Sequence, residues 1–400
     1  MRISTQQFYQ RSSQSMGETQ RSLLETQQRL STGKQRLGPG DDPGGAEASL
    51  RLTDRLARLD RLERSQNAAE TRLNAEDTAL GALATNLQRV RELAVLLGNG
   101  ALREGDALGI EAELRALKDE ALSLANTVSP TGEALFGGAT AAEDAFSLQG
   151  NGTVRYEGTN RPRSLPIGEG RSLTLSPPGG ELFLAMPNLD EVRLELAPGN
   201  GGTAVFDAPE VTDRGVFDNA ALPLTLTFNG DGTATLVDSA TPPNVTAPAL
   251  GTNEVTVDGV RVSFTGVLAA GDAVTLEEPG TFDLFALYDD LISVAQAPRE
   301  GDEAQATFQN QLQAAQGGLA AAEAQVNGAR GALGAKLAAL EGERSVQEST
   351  RLALEAERSN LDDLDYTAAI SEFQQQLTAL QAAQSAFSRL SDLSLFNFLR

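Results

Sequence analysis

Apolar residues recur every seven positions through the first third of the chain. Leu52, Leu59, Leu73, Leu80 and Leu87 fall on one series, with Gln66 its polar member. Leu62, Leu83, Val90 and Leu97 fall on a second series three residues on, where Ala69 is the weakest member and Glu76 a break. Apolar positions sustained at this spacing predict a long helix with a coiled-coil-like seam. At ~1.5 Å per residue, a helix over 46–97 would be roughly 78 Å long. The last third answers it with Leu312, Leu319, Val326, Leu333 and Leu340, and with Phe308, Ala315, Ala322 and Ala329 as partner positions. The pattern thus predicts a seam built from Leu52, Leu59, Leu73, Leu80, Leu83, Leu87 and Val90 on one side. Phe308, Leu312, Leu319, Val326, Leu333 and Leu340 supply the other.

The two ends repeat the theme more weakly. Tyr9, Met16, Leu23 and Leu30 are seven apart, but their partner positions are Ser, Thr and Gln. At the other end Tyr366, Phe373, Leu380 and Phe387 form one series, with Ile370 and Leu377 on a second. The first 36 residues carry six basic and two acidic side chains, whereas 362–400 carry two and five. Opposite charge and matched length predict that the ends pair with each other. Residues 1–36 hold eight glutamines and no alanine, too polar a face to fold alone. Ile3, Tyr9, Met16, Leu23, Leu30, Tyr366, Ile370, Phe373, Leu377, Leu380 and Phe387 are therefore expected to form an assembly surface. The ends would be disordered until neighbouring subunits cover them.

The middle third is different. Residues 141–280 hold 12 of the 16 prolines, which break helices. Leu222–Phe228 and Thr233–Val237 flank Asn229-Gly230-Asp231-Gly232, and Val255–Val257 and Val260–Phe264 alternate around Asp258-Gly259. Both read as hairpins. Val192–Leu196 and Ala273–Leu276 read as further strands. The expected fold is mainly α with a β insert: a folded-back rod of long helices carrying a small β-rich domain. Its parts would be terminal helices at 1–36 and 366–400, a helical rod from 37–140 and 281–365, and a β domain at 141–280.

Composition narrows the chemistry. The 400 residues include no cysteine and no histidine, which excludes disulfides, Cys/His zinc sites and histidine-based triads. A net charge of −23 argues against coating nucleic acid. No run of 18 apolar residues predicts a membrane span, and the start Met1–Gln7 does not read as a secretory signal. Gly33-Lys34 lacks the upstream glycine and following hydroxyl of a phosphate loop. Asp41-Asp42 reads as a helix cap rather than a metal ligand pair, and Asn229–Gly232 as a plain turn rather than a weak calcium loop. Asn151-Gly152-Thr153 and Asn244-Val245-Thr246 match the glycosylation triplet, which matters only in a secreted eukaryotic setting. No catalytic constellation is visible, so the expectation is no enzyme, no cofactor and no metal.

Several segments resemble the bacterial flagellin family: Met1-Arg2-Ile3-Ser4-Thr5, Leu30-Ser31-Thr32-Gly33-Lys34, Asp41-Asp42-Pro43 and Leu135-Phe136-Gly137-Gly138, then Ser359–Asp365 and Leu393–Leu399. They occur in the family's order over roughly the first 140 and last 120 residues. Asp41-Asp42-Pro43-Gly44-Gly45, in place of the usual flagellin segment, and the Leu-Phe-rich end favour the branch that joins hook to filament. The resemblance implies a structural protein of the bacterial flagellum, secreted by the flagellar type III export apparatus and acting outside the cell in motility. Its implied partners are hook-associated protein 1, flagellin, further copies of itself in a helical ring, and an export chaperone near the C-terminal helix. The alternatives are flagellin, the filament subunit, and a cytoplasmic coiled-coil scaffold with a β ligand-binding insert.

Overall fold

The structure, a computed structural model, describes residues 3–398 except 39, 101–103, 140–143, 176, 240–244, 247, 249 and 252. The side chains of 3–6, 8–9, 104, 245–246 and 390–398 also lie outside the description. The chain is mainly α-helical with a central β-rich region, as the periodicities predict. The helices are α1 (Ile3–Thr32), α2 (Pro43–Leu97), α3 (Glu104–Ala125), the single turn α4 (Arg214–Phe217), α5 (Leu284–Gln296), α6 (Asp302–Asp362) and α7 (Tyr366–Phe398). Two compact units result: Met1–Arg64 with Gly342–Arg400, and Ser65–Glu341.

Within the second unit the heptad residues close a helical core. Leu73, Leu80, Leu83, Leu87 and Val90 of α2 are buried with Phe308, Leu312, Leu319, Val326, Leu333 and Leu340 of α6. Leu114 of α3 and Leu284, Phe285, Tyr288 and Leu291 of α5 fill the same core. Leu52 and Leu59 are buried in a separate small cluster of the first unit, with Leu56 and Leu354.

Both polar breaks in the α2 heptads are buried, and each has a partner. Gln66 Nε2 donates to the Ile167 carbonyl at 2.6 Å. Glu76, with no exposed surface, accepts from Arg72 Nε at 3.1 Å. Arg72 then donates to the carbonyls of Ala134 and Leu135 and lies 3.8 Å from Glu133, which Arg163 also pairs. A buried charge without such partners would cost several kcal/mol. Asn86 links three helices: Tyr288 Oη donates to its Oδ1, while its Nδ2 donates to Leu117 O and Glu120.

These contacts fix the segment after α3, where Leu135–Gly138 crosses two other strands of chain. Gly179 N and Tyr156 Oη both donate to the Phe136 carbonyl, and Thr159 N to that of Gly137. Gly138 has φ +72° and a Cβ there would sit 2.1 Å from Thr159 O, so no other residue fits. Two hairpins follow, β1 (Phe146–Leu148) with β2 (Val154–Tyr156) and β3 (Ser164–Gly168) with β4 (Arg171–Thr174), then a π-helical turn at Gly180–Leu184. Phe146, Ile167, Leu182 and Phe183 are buried in the helical core, not in a β core of their own.

The separate β core begins later. The remaining strands are β5 (Met186–Pro187), β6 (Arg193–Leu196), β7 (Val205–Phe206), β8 (Glu210–Val211), β9 (Leu224–Phe228), β10 (Ala234–Val237), β11 (Val245–Thr246), β12 (Glu254–Val257), β13 (Val260–Thr265), β14 (Ala273–Glu277) and β15 (Thr281–Phe282). One sheet runs β11-β10-β9-β14-β6, and a second runs β12-β13-β7 with β8 beside β13. Their inward residues alternate, as in Leu224, Leu226 and Phe228 against Val260, Val262 and Phe264. Phe206, Phe228 and Phe264 meet with ring centroids about 6 Å apart. The Asp258-Gly259 turn has φ +43° and +80°, as a two-residue hairpin requires. In the other hairpin, Asp231 accepts from Thr233 N and Oγ1, an ordinary turn arrangement. A neck of β5 paired with β15 leads into this β-sandwich.

Two outcomes test the packing. Leu83→Ala or Leu333→Ala, which opens a cavity in the helical core, should destabilise the protein by about 2–5 kcal/mol in denaturant melts. A fragment spanning 189–280 should unfold cooperatively on its own. A fragment of 144–187, whose apolar residues need the helices, should show no cooperative transition by circular dichroism.

Candidate assembly interface

The first unit is organised by α1 and α7, which run antiparallel. Three points set the register: Gly33 O accepts from Leu364 N at 3.0 Å, Gln376 Nε2 donates to Ser22 Oγ at 2.9 Å, and Glu18, Thr19 and Ser22 lie beside Gln375, Gln376 and Ala379. Polar residues, Thr19 and Ser22 of α1 and Gln375 and Gln376 of α7, therefore meet along this part of the pair. Among the described side chains of the two helices only Thr26 and Ala369 are buried. Met16, Leu23, Leu30, Phe373, Leu377, Leu380 and Phe387 are half-buried. Tyr366 and Ile370 remain 53 % and 47 % exposed, and Leu24 63 %. Side chains of Ile3 and Tyr9 lie outside the described residues, as do those of the Leu393–Leu399 segment.

The pair is anchored where both helices join the longer ones. Gln35 N donates to Asp362 O at 2.9 Å, so Lys34 and Asp363 form a short antiparallel bridge. Arg36 reaches Asp362 at 2.5 Å and Asp42 at 3.3 Å, while Ser49 Oγ donates to the other Asp362 oxygen at 2.7 Å. Gly33 turns with φ +65°, and a Cβ there would meet Tyr366 Oη at 2.8 Å. Asp41 accepts from the amides of Leu37 and Gly38. Asp42 caps α2 through Gly45 N, with Pro43 at the first helical position. Asp365 caps α7 through the amides of Thr367 and Ala368. The motifs Leu30–Lys34, Asp41–Pro43 and Ser359–Asp365, far apart in sequence, thus meet at one junction.

Electrostatics there are one-sided. Burial pushes the Asp362 carboxyl up, but the Ser49 and Arg36 hydrogen bonds and the Arg36 and Lys34 charges outweigh it and hold it below its ordinary value. The Gly45 amide, with Arg36 helping, holds Asp42 low as well. Of the residues that do most here, Asp362 lies in the Ser359–Asp365 segment singled out in the sequence, whereas Arg36 and Ser49 escaped the sequence reading. The excess of basic residues at one end and acidic at the other was the available signal. No group of three Asp or Glu side chains among the described residues is placed to hold a metal ion. No helix among them is long and apolar enough to cross a membrane.

Arg36→Ala should speed amide exchange at Gln35 and Leu364 about tenfold or more while leaving the core around Leu83 unchanged. Because Asp362 and Asp42 have lowered values, their stabilising effect is present above the unfolded carboxylate pKa of about 4 and is lost as pH falls through their lower folded values. Protection of the same two amides, taken relative to the intrinsic exchange rate at each pH, should therefore fall below about pH 4 in the parent and change less in Asp362→Asn.

Comparison with known proteins bears on the same helices. The family model for the bacterial flagellin N-terminal helical region matches residues 3–141, and that for the C-terminal helical region matches 316–399. Flagellar hook-associated protein 3 of Salmonella typhimurium is 23 % identical over 183 residues, which cover 46 % of this chain and 57 % of that protein. The chain thus spans little more than half the length of this curated relative. Polar flagellin F of Vibrio parahaemolyticus is 30 % identical over 99 residues, 25 % of this chain and 26 % of that one. The crystal structure of Xanthomonas campestris FlgL superposes with a TM-score of 0.70 at 26 % identity, covering 77 % of this chain and 99 % of that one.

Proposed function

Because the chain belongs to the bacterial flagellin family through both its N- and C-terminal helical regions, we propose that it is a structural subunit of the flagellum, placed at the junction between hook and filament. The observation that carries the assembly role is the α1–α7 pair. It has a defined register yet buries only Thr26 and Ala369 among its described side chains. Ordering a residue costs on the order of 1–2 kcal/mol, and so sparse a seam returns little of it. Neighbouring subunits that cover Leu24, Tyr366, Ile370 and the half-buried heptad residues supply the rest. Open helical assembly requires such heterologous contacts, one surface meeting a different surface of the next copy.

The junction role, rather than that of filament subunit, is supported by the relatives. The likeness to hook-associated protein 3 extends over 183 residues, and the Xanthomonas campestris FlgL structure superposes over 77 % of this chain and 99 % of its own with a TM-score of 0.70. On this reading the subunit binds hook-associated protein 1 on the hook side and flagellin on the other, with further copies completing a ring. Export proceeds through the flagellar type III apparatus to a place outside the cell. A chaperone covers the α7 seam before assembly. The domain plan follows: terminal helices at 1–36 and 366–400 that order on assembly, and a helical region between them and the β insert.

The test mixes purified protein with hooks bearing hook-associated protein 1 and, separately, incubates it alone at high concentration. Binding that stops after a short zone is expected, and long filaments from the protein alone would identify a flagellin instead. Leu377→Pro, which breaks α7 away from both buried cores, should leave the melting temperature nearly unchanged and abolish hook attachment. Attachment by a proteolytic core lacking 1–36 and 366–400 would overturn the role given to the ends.

A further inference from the structure

A cleft of about 710 Å³ opens between the β-sandwich and helices α5 and α6. One wall is the edge strand β6, which among the described residues pairs only with β14. Ala197 N donates to Ala273 O, so by the alternation of an antiparallel ladder the amides of Leu196 and Leu194 point away from β14, towards the open edge. The opposite wall is helical, with Ala286 and Val294 of α5 and Ala314 and Gly317 of α6. At the far side Asn310 of α6 holds the sandwich in place: its Oδ1 accepts from Phe206 N and its Nδ2 donates to Ala204 O, both at 2.9 Å. The side-chain amide pairs with β7 as a strand would, and the cleft stays open beside it.

The charge of the cleft selects its occupant. Asp190, Glu195, Asp207, Asp283 and Asp290 line it, against a single basic residue, Arg193. Burial and the neighbouring Asp289 carboxylate push the Asp290 carboxyl up, and burial likewise raises Asp283. A free strand edge recognises extended backbone, and an acidic wall with apolar side chains between the carboxylates recognises alternating basic and apolar residues.

We propose that this cleft is a docking groove for an extended, basic peptide segment of a partner protein, which adds as a strand to the edge of β6. Backbone hydrogen bonds to Leu194 and Leu196 give the affinity. Lysine or arginine side chains at alternate positions meet Asp190, Glu195 and Asp290. The site is separate from the terminal helices that serve assembly.

Gly317 provides the test, because a Cβ there meets nothing nearer than Asp190 Oδ2 at 3.9 Å. A larger side chain enters the cleft without displacing the helix. The full-length protein is titrated with a labelled octapeptide of alternating lysine and valine, with its glutamate–valine counterpart, and with a lysine–valine version N-methylated at alternate residues. The lysine–valine peptide should bind at least about tenfold more tightly than either control, and bound peptide should protect the amides of Leu194 and Leu196 from exchange. Gly317→Phe should weaken binding at least about tenfold at an unchanged melting temperature. Asp190→Asn with Glu195→Gln should weaken it and flatten its salt dependence. Equal binding of the methylated peptide would reduce the effect to charge attraction and overturn the strand-docking claim. Undiminished binding to Gly317→Phe, no effect of the paired charge substitutions, or no binding at all would overturn it too.

Discussion

A seam of leucines and alanines spaced seven apart does not determine its own register, because sliding one helix by a heptad leaves apolar facing apolar. Between α2 and α6 the Arg330–Asp77 and Arg91–Glu323 ion pairs remove that freedom, and the buried guanidinium of Arg72 fixes α2 against the segment that follows α3. That guanidinium is satisfied only where Glu76, the carbonyls of Ala134 and Leu135 and the Glu133 carboxylate converge. A slip would leave a charge buried and unpaired, at a cost several times that of a lost apolar contact. Gln66 on Ile167 and the Asn86–Tyr288 pair add the same constraint at other levels of the core. These polar groups contribute little net stability, and their effect is to exclude alternatives.

The same logic governs the junction of the ends. Asp362 collects Arg36 and Ser49 from the N-terminal side of the chain, more than three hundred residues away in sequence. It thereby fixes where α7 starts relative to the end of α1. Beyond that anchor the pair offers small and polar residues to itself and leaves Leu24, Tyr366 and Ile370 to solvent. A surface whose start is rigid and whose length is unsatisfied suits a subunit that completes its core only in the company of copies.

The β-sandwich follows different rules. Its core of alternating Val, Leu and Phe is closed by its own two sheets, and it meets the helices through the β5–β15 neck and the Asn310 amide. Its apolar core is distinct from the core that the heptad helices share. Its open edge is left available for other partners.

Much was legible in the sequence because it rests on local periodicity. Of the residues at seven-residue spacing, those from Leu52 to Val90 and from Phe308 to Leu340 named for the seam are buried, Leu62 and Ala329 are half-buried, and the buried Leu56 and Leu93 lie off both series. Alternation and the Asp258-Gly259 and Asn229–Gly232 turns located the main hairpins. Asp42 was recognisable as a cap from its place before Pro43. What the sequence could not decide are contacts between segments remote along the chain. The breaks at Gln66 and Glu76 looked like defects in a heptad, and only the folded chain shows that carbonyls of Ile167 and residues 134–135 make them necessary. Residues 144–187 carry strand and proline signals like the rest of the middle third. They nevertheless join the helical core, because Phe146 and Phe183 find their partners in Phe136 and Phe285. Periodicity records which face of an element is apolar. Which other element covers that face is set by packing, and packing depends on the whole chain at once.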